Sequence, residues 1–265
     1  MTSHRSCLNT LLMFPFALAF LLGVNQSAIA NEETPAEAAF QKLHESEQKK
    51  YAQLAESYLM ALKDQPDNPV LWLQAGDARF FAGDSAGALA AYDECLRISP
   101  ARYASFWQRG LVLHSLGKWK DGALQFEAYH EQISQSDREN GLWQFLCNRE
   151  QFDEKTALQK RIRYDKADRQ PFPLVYRYYE GEVTLEQVKE QLAKASLSKN
   201  EQQSTNFYLP LYVALLTDAR GQKDKARALY DEALISTWAR EAGYGPQYMW
   251  QVARLYRNRL NLATP

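Results

Sequence analysis

The chain has 265 residues, of which 46% are hydrophobic and 24% charged, and its 31 basic and 32 acidic side chains leave a net charge of −1. This composition is that of an ordinary globular domain and excludes a disordered, collagenous or cysteine-knitted chain. Near-neutral charge provides no broad positive field for phosphates, so no nucleic acid is expected as a partner.

The chain begins with a basic pair, His4 and Arg5, followed by an apolar run over residues 11–23 and then Ser27-Ala28-Ile29-Ala30. The run falls short of the roughly 20 apolar residues that a membrane-crossing helix needs. Small Ala28 and Ala30 fit the narrow subsites of a signal peptidase. Residues 1–30 therefore read as a cleaved signal peptide, with no stable membrane insertion afterwards, and the expected location is periplasmic or secreted. Cys7 precedes the apolar run, so no lipid-acceptor cysteine stands at the expected cleavage point. The mature part keeps Cys95 and Cys147. Export permits a disulfide, but the repeat pattern below puts the two in different helix units. Separate buried thiols are the expectation, with one bridge as the alternative if their Cα atoms lie within about 7 Å.

A period of 34 residues organises the next segment: Trp72 recurs as Phe106, Gly76 as Gly110, Gly83 as Gly117, Ala88 as Gly122 and Tyr92 as Phe126. This is the tetratricopeptide (TPR) period, two helices and a turn per unit. Gly76 and Gly110 fall where two helices must approach closely. Gly83 and Gly117 fall where the first helix must stop in a left-handed conformation. Pro100 ends the second helix of its unit. Two units are expected, over 69–102 and 103–136. Tyr58, Ala61 and Pro66 precede Tyr92, Cys95 and Pro100 by the same 34 residues, so residues 37–64 are expected to include the second helix of a degraded first unit.

Residues 137–200 lack the period but still read as helical. Asp153-Glu154 opens an amphipathic stretch to Asp165, Pro171 and Pro173 mark a loop, and Gly181 closes a further segment. Thr184 with Gln187 forms a capping box for a helix reaching Lys194. Within 201–265, Gly221, Ala226, Tyr230 and Ala233 repeat the spacing of Gly83, Ala88, Tyr92 and Cys95, although Ala214 stands where the helix glycine is expected. Gly245-Pro246 starts a last helix, with Leu255, Tyr256 and Leu262 on or near its apolar side. No sustained period-two alternation argues for a sheet, so the expected fold is all-α, with about 10–12 helices. Its architecture is a TPR-type helical-hairpin solenoid interrupted by a non-repeating helical segment.

Three stretches carry a resemblance: YASFWQRGLVLHSLG from Tyr103, LVYRYYEGEVTLEQVKEQL from Leu174 and STNFYLPLYVALLTDARGQKDKARALYDEAL from Ser204. In this order the chain resembles the NlpI family of bacterial envelope TPR lipoproteins, over roughly 67–235. The resemblance implies an adaptor that docks envelope proteases and peptidoglycan hydrolases, commonly as a homodimer. The family's lipid-acceptor cysteine is missing, and the amino-terminal part is shorter by part of a repeat.

No catalytic or metal-binding constellation is present as a motif. HExxH, GxSxG, a Walker loop and GxGxxG are all absent, and no cofactor is expected. His44-Glu45 and His130-Glu131 are adjacent pairs that diverge on a helix, so both histidines are expected on a solvated surface. Tyr176, Tyr178 and Tyr179 crowd one segment, and at least one is expected to be exposed or at an interface. Trp119 and Trp143 match no packing position of the repeat.

Stacked helical pairs form a superhelix whose concave side carries the binding surface. The lining expected from the first helix of each unit is Val70, Leu73, Asp77, Phe80 and Phe81, then Ala104, Trp107, Leu111, His114 and Ser115. The Lys/Asn set that clamps a terminal carboxylate in chaperone-binding relatives is not matched. Leu73, Asp77, Phe80, Phe81, Trp107, Leu111 and His114 are thus the candidate partner-binding groove, suited to an apolar segment or helix unless the chain's own last helix fills it. The function expected is a non-enzymatic exported adaptor. The alternative is a hydrolase with a site assembled from dispersed residues, marked by a closed cleft with convergent polar side chains. The intact mass of the native protein is expected to match residues 31–265 without lipid; a lipid increment, or a start displaced by more than a few residues, would refute this.

Overall fold

The computed structural model describes residues 34–262. The signal peptide expected over 1–30 and the mature start at Asn31 lie outside the described residues. No glycine or proline occurs from Ala36 to Lys63, so nothing breaks the backbone ladder there. The segment folds as one helix, α1 (Pro35–Asp64), which Thr34 caps by accepting from the Glu37 N–H. The degraded hairpin expected in this region is therefore a single long helix.

Two helix pairs follow: α2 (Pro69–Phe81) with α3 (Ser85–Ile98), and α4 (Trp107–Ser115) with α5 (Trp119–Gln132). Asn68 and Asp84 cap α2 and α3 through their side chains. Gly83 and Gly117 take the left-handed conformation after α2 and α4. The pairs close on glycine–ring contacts. The Tyr92 ring lies against Gly76, and a Cβ on Gly110 would meet Phe126 Cζ at 2.6 Å. The second pair starts later than expected. Pro100–Arg102 forms a 3₁₀ turn, and Phe106, the counterpart of Trp72, stands at the N-cap of α4 instead of inside it.

The middle segment holds α6 (Arg138–Gln151), α7 (Glu154–Lys160), α8 (Phe172–Tyr179) and α9 (Leu185–Lys194). Asp153 caps α7, and Thr184 with Gln187 makes the expected capping box on α9. Helix α7 stops at Lys160, short of Asp165, and residues 161–171 run without regular helix. Pro173 belongs to the first turn of α8 and not to a loop. Tyr176 and Tyr179 are buried and Tyr178 is half-buried, so none of the three is fully exposed. Helix α8 is covered on several sides: Tyr176 donates to the Ile162 carbonyl, Tyr179 to the Tyr212 carbonyl, and Tyr178 packs between two apolar clusters.

A third long pair, α10 (Lys199–Ala219) and α11 (Lys223–Leu234), turns at left-handed Gly221. Ala226, Tyr230 and Ala233 are fully buried in it, as is Ala214 at the expected glycine position. Short α12 (Thr237–Glu241) leads into α13 (Tyr244–Leu262), whose first turn contains Pro246. Tyr256 is buried as expected, Leu255 is half-buried and Leu262 is exposed.

Among the described residues the chain is all-α, with 13 α-helices and no strand, and none of the helices is long and apolar enough to cross a membrane. One apolar core runs from Tyr51 to Leu260 and takes in residues of every segment. Cys95 and Cys147 are separate, buried free thiols. His44 and His130, expected on the surface, are drawn inward. His44 is buried against Arg254, and the His130 ring stands edge-on to Tyr164 at 5.0 Å. Gly110→Leu is expected to destabilise the fold by more than about 2 kcal/mol through overpacking against Phe126. An unchanged urea midpoint would refute the assigned register.

Candidate functional site

The concave face expected to receive a partner is occupied by α13. The Tyr248 ring meets Phe81 edge-on at 4.6 Å and Trp107 at 4.8 Å, with Phe80 at 6.2 Å. Asp77 accepts from Tyr92 and Tyr244, each at 2.6 Å. Burial pushes its carboxyl up to about 7 against these two donors. His114 Nδ1 lies 2.6 Å from the Tyr256 hydroxyl and its Nε2 has no partner; burial, helped by Arg259, pushes the ring down to about 3. It is a neutral core histidine.

This corrects the expected docking groove. Phe80 is 1% exposed and Leu111 fully buried, Phe81, Asp77 and His114 are covered, and Leu73 packs on the same core. Two adjacent aromatic stripes expose too much apolar surface to remain uncovered, and the chain covers them itself. Ala104 is buried too, Ser115 hydrogen-bonds Ser85, and Val70 alone of the wider lining is exposed. Of the seven candidate residues, Trp107 also reaches a second feature, a cleft of about 400 Å³.

The cleft lies where the start of α4, α5, α6, α10, α12 and the start of α13 meet. Trp107, Trp143, Tyr208 and Trp238 contribute aromatic walls, and Gly245, Pro246 and Met249 of α13 close one side. Its polar groups come from distant segments. Asp137 caps α6 by accepting from the Glu139 N–H at 3.1 Å. Glu139 follows in the first turn, where the helix dipole favours a carboxylate. Arg169, from the irregular 161–171 stretch, donates to Glu139 Oε2 at 2.6 Å and lies 3.5 Å from Asp137. Trp143 Nε1 donates to the Tyr212 hydroxyl at 3.0 Å, which in turn donates to Glu139 Oε1 at 2.7 Å.

Burial pushes Glu139 up to about 7; Asp137 and Asp168 add to the rise, while Arg169 and the Tyr212 hydroxyl oppose it. Asn200 accepts from Trp238 Nε1 at 2.9 Å. Two further polar residues line the cleft without a side-chain hydrogen bond to any described residue: Asn140, 6% exposed, and Ser204, 8% exposed. Their side-chain polar atoms keep contact with the cleft space, where both can bond a guest.

Sequence reasoning did not single out Glu139, Asn140, Arg169, Asn200, Ser204, Tyr208 or Trp238. The one local signal was the Asp137–Glu139 start of α6, a cap with an acidic first turn. Its partners lie about 30 to 100 residues away in the chain, and no spacing rule joins them. Among the described residues no group of three His, Cys, Asp or Glu side chains could hold a metal ion. No family model matches the chain.

Asp77 generates a pH prediction. Its folded value of about 7 exceeds the ordinary carboxyl value of about 3.9, so its contribution to stability is complete below about pH 4 and lost as pH rises through about 7. His44, pushed down to about 4 by burial and by Arg254, and His114 act in the opposite sense, so Asp77 must be isolated by comparison with Asp77→Asn. Stability of the parent relative to that variant is expected to fall between pH 4 and pH 7.5. Denaturant melts with parallel pH dependence would refute it.

Proposed function

We propose that the chain is an exported adaptor of the cell envelope, without catalytic activity, built as a TPR-type solenoid whose last helix has filled its own groove. The leader-like residues 11–30 support export to the periplasm or beyond. The helix pairs at 34-residue spacing, with their glycine–ring contacts and left-handed turn glycines, support the solenoid. The resemblance to the NlpI family supports an envelope protease or peptidoglycan hydrolase as partner.

With the groove occupied, recognition passes to the cleft beside α13. The observation that carries this is its composition: three tryptophans, a half-buried carboxylate and two largely buried polar side chains without partners, in one opening of about 400 Å³. Pockets of about 300–1,000 Å³ with apolar walls and a few convergent polar groups are the usual form of a specific binding site. An anchor side chain of a partner fits such a place, and aromatic anchors dominate interface energetics.

One observation favours the alternative, a hydrolase. Glu139, raised to about 7, sits in the cleft near Asp137, and a carboxyl near neutrality suits general acid–base chemistry. The two readings separate by experiment. Binding of an envelope protease and of a peptidoglycan hydrolase to the chain is measured by calorimetry, alongside fragment release from peptidoglycan by the chain alone. Trp238→Ala is expected to weaken partner binding by about tenfold or more under conditions where its melt shows the chain still folded. Binding that survives this variant but is lost in Val70→Asp would return recognition to the α2 side. Fragment release abolished by Glu139→Gln would favour the hydrolase.

A further inference from the structure

Three carboxylates share one guanidinium at the cleft. Arg169 reaches Glu139 at 2.6 Å, Asp168 at 3.4 Å and Asp137 at 3.5 Å. Its planar group is also committed to the face of Phe172, 4.3 Å from the ring centroid. The other arginine nearby, Arg138, gives its backbone N–H to Asp168 and stacks its guanidinium on Tyr164. One guanidinium against three carboxyl groups leaves an acidic excess at the cleft once Glu139 is ionised. The remaining titratable groups around Glu139 are tyrosines. Tyr208 and Tyr212 are held well above the usual phenol range and Tyr129 is pushed up to about 12, each mainly by burial. All three are neutral near pH 7 and offset none of the excess.

The walls have a matching property. Aromatic faces attract cations within about 6 Å of their centroids, tryptophan most strongly, and more so when water is excluded. Trp107, Trp143, Trp238 and Tyr208 border the same space as Glu139 and Asp137. Asn140 and Ser204, nine-tenths buried and unpaired with any described residue, offer oxygen acceptors there. An ammonium has three donors and a guanidinium five, and neither has an acceptor. A neutral apolar guest would leave both the acidic excess and these acceptors unanswered.

We propose that the cleft is a binding site for an organic cation: an alkylammonium or guanidinium carried on an apolar stem, as at the end of a lysine or arginine side chain. The proposal rests on the reading of this cleft as the recognition site and adds the chemical class of its guest. The stem packs along the tryptophans, and the charged head lies toward Glu139 and Asp137. Because a cation favours ionised Glu139, binding releases a proton, and affinity rises with pH through about 7.

The test titrates the purified exported chain with three probes, following tryptophan fluorescence and heat: the peptide acetyl-Ala-Lys-Ala-amide, its Nζ-acetylated form, and 1,5-diaminopentane. The lysine peptide is expected to bind saturably and about tenfold or more tighter than the acetylated form. Its affinity is expected to rise from pH 6 to pH 8, and Glu139→Gln to weaken it about fivefold or more and flatten that rise. Trp238→Ala, at a half-buried wall position, provides a second variant should Glu139→Gln melt early. Tighter binding of the diamine than of the peptide would identify a free amine as the natural guest. Equal affinity for the acetylated peptide, no saturation by either cation up to about 10 mM, or binding of the neutral disaccharide diacetylchitobiose in their place would overturn the proposal. Cation binding in a chain whose envelope partners ignore Trp238→Ala would sink the adaptor reading while leaving the cation site standing. Partner binding that requires Trp238 without any cation affinity would do the reverse.

Discussion

The docking of α13 against the helix pairs is the interaction on which the rest of the structure depends. It carries two arginines, Arg254 and Arg257, to fully buried positions. A buried charge is tolerated only when its partners are in place. Arg254 donates to Gln251 and to the Phe81 carbonyl and lies 3.0 Å from His44 Nδ1, while Gln251 donates to Glu47. Arg257 is held between Glu37 and Asp231. Helix α1 thus supplies Glu37, His44 and Glu47 from three successive stretches of its length. That is a reason for a long unbroken first helix: it is the rail to which the last helix is tied, more than 200 residues later.

This tie determines what is open and what is closed. Once α13 is seated, Tyr248 fills the space between Phe80, Phe81 and Trp107, and Tyr244 closes over Asp77. The concave stripe becomes core. The same helix start provides Gly245, Pro246 and Met249 to the cleft, so the element that closes one surface completes another. Burial at Asp77 and Glu139 has a common signature, a carboxyl raised to about 7, but the settings differ. Asp77 accepts one hydroxyl on each oxygen and faces the interior. Glu139 shares its guanidinium with two other carboxylates and borders a space that a guest can enter.

His114 Nε2 is left unpaired inside the α13 interface, whereas the unpaired groups of the cleft border an open space. Most buried polar groups in native proteins are hydrogen-bonded. In the α13 interface Asp77, Glu47, Gln251, Arg254 and Arg257 all have partners. At the cleft, Asn140 and Ser204 have none among the described residues. Local agreement between sequence and structure breaks down most often at functional places, and here that break coincides with three tryptophans and an acidic excess.

The sequence by itself determined the local grammar. Turn glycines at 83, 117 and 221, close-approach glycines at 76 and 110 with their facing rings, the capping box at Thr184 and the Pro246 start of α13 all follow from backbone sterics and short-range hydrogen bonding. Such constraints act within one or two turns and leave their mark in spacing. What only the tertiary structure decided are pairings across long separations: Tyr248 on Phe81, Arg254 beside His44, Arg169 on Glu139. The stripe from Leu73 to His114 has the same periodicity whether a partner or the chain's own helix covers it, because hydrophobic burial is not directional. The cleft was illegible for a related reason. Its side chains come from six helices and an irregular stretch, and their convergence depends on how those elements pack, a property that no local pattern encodes.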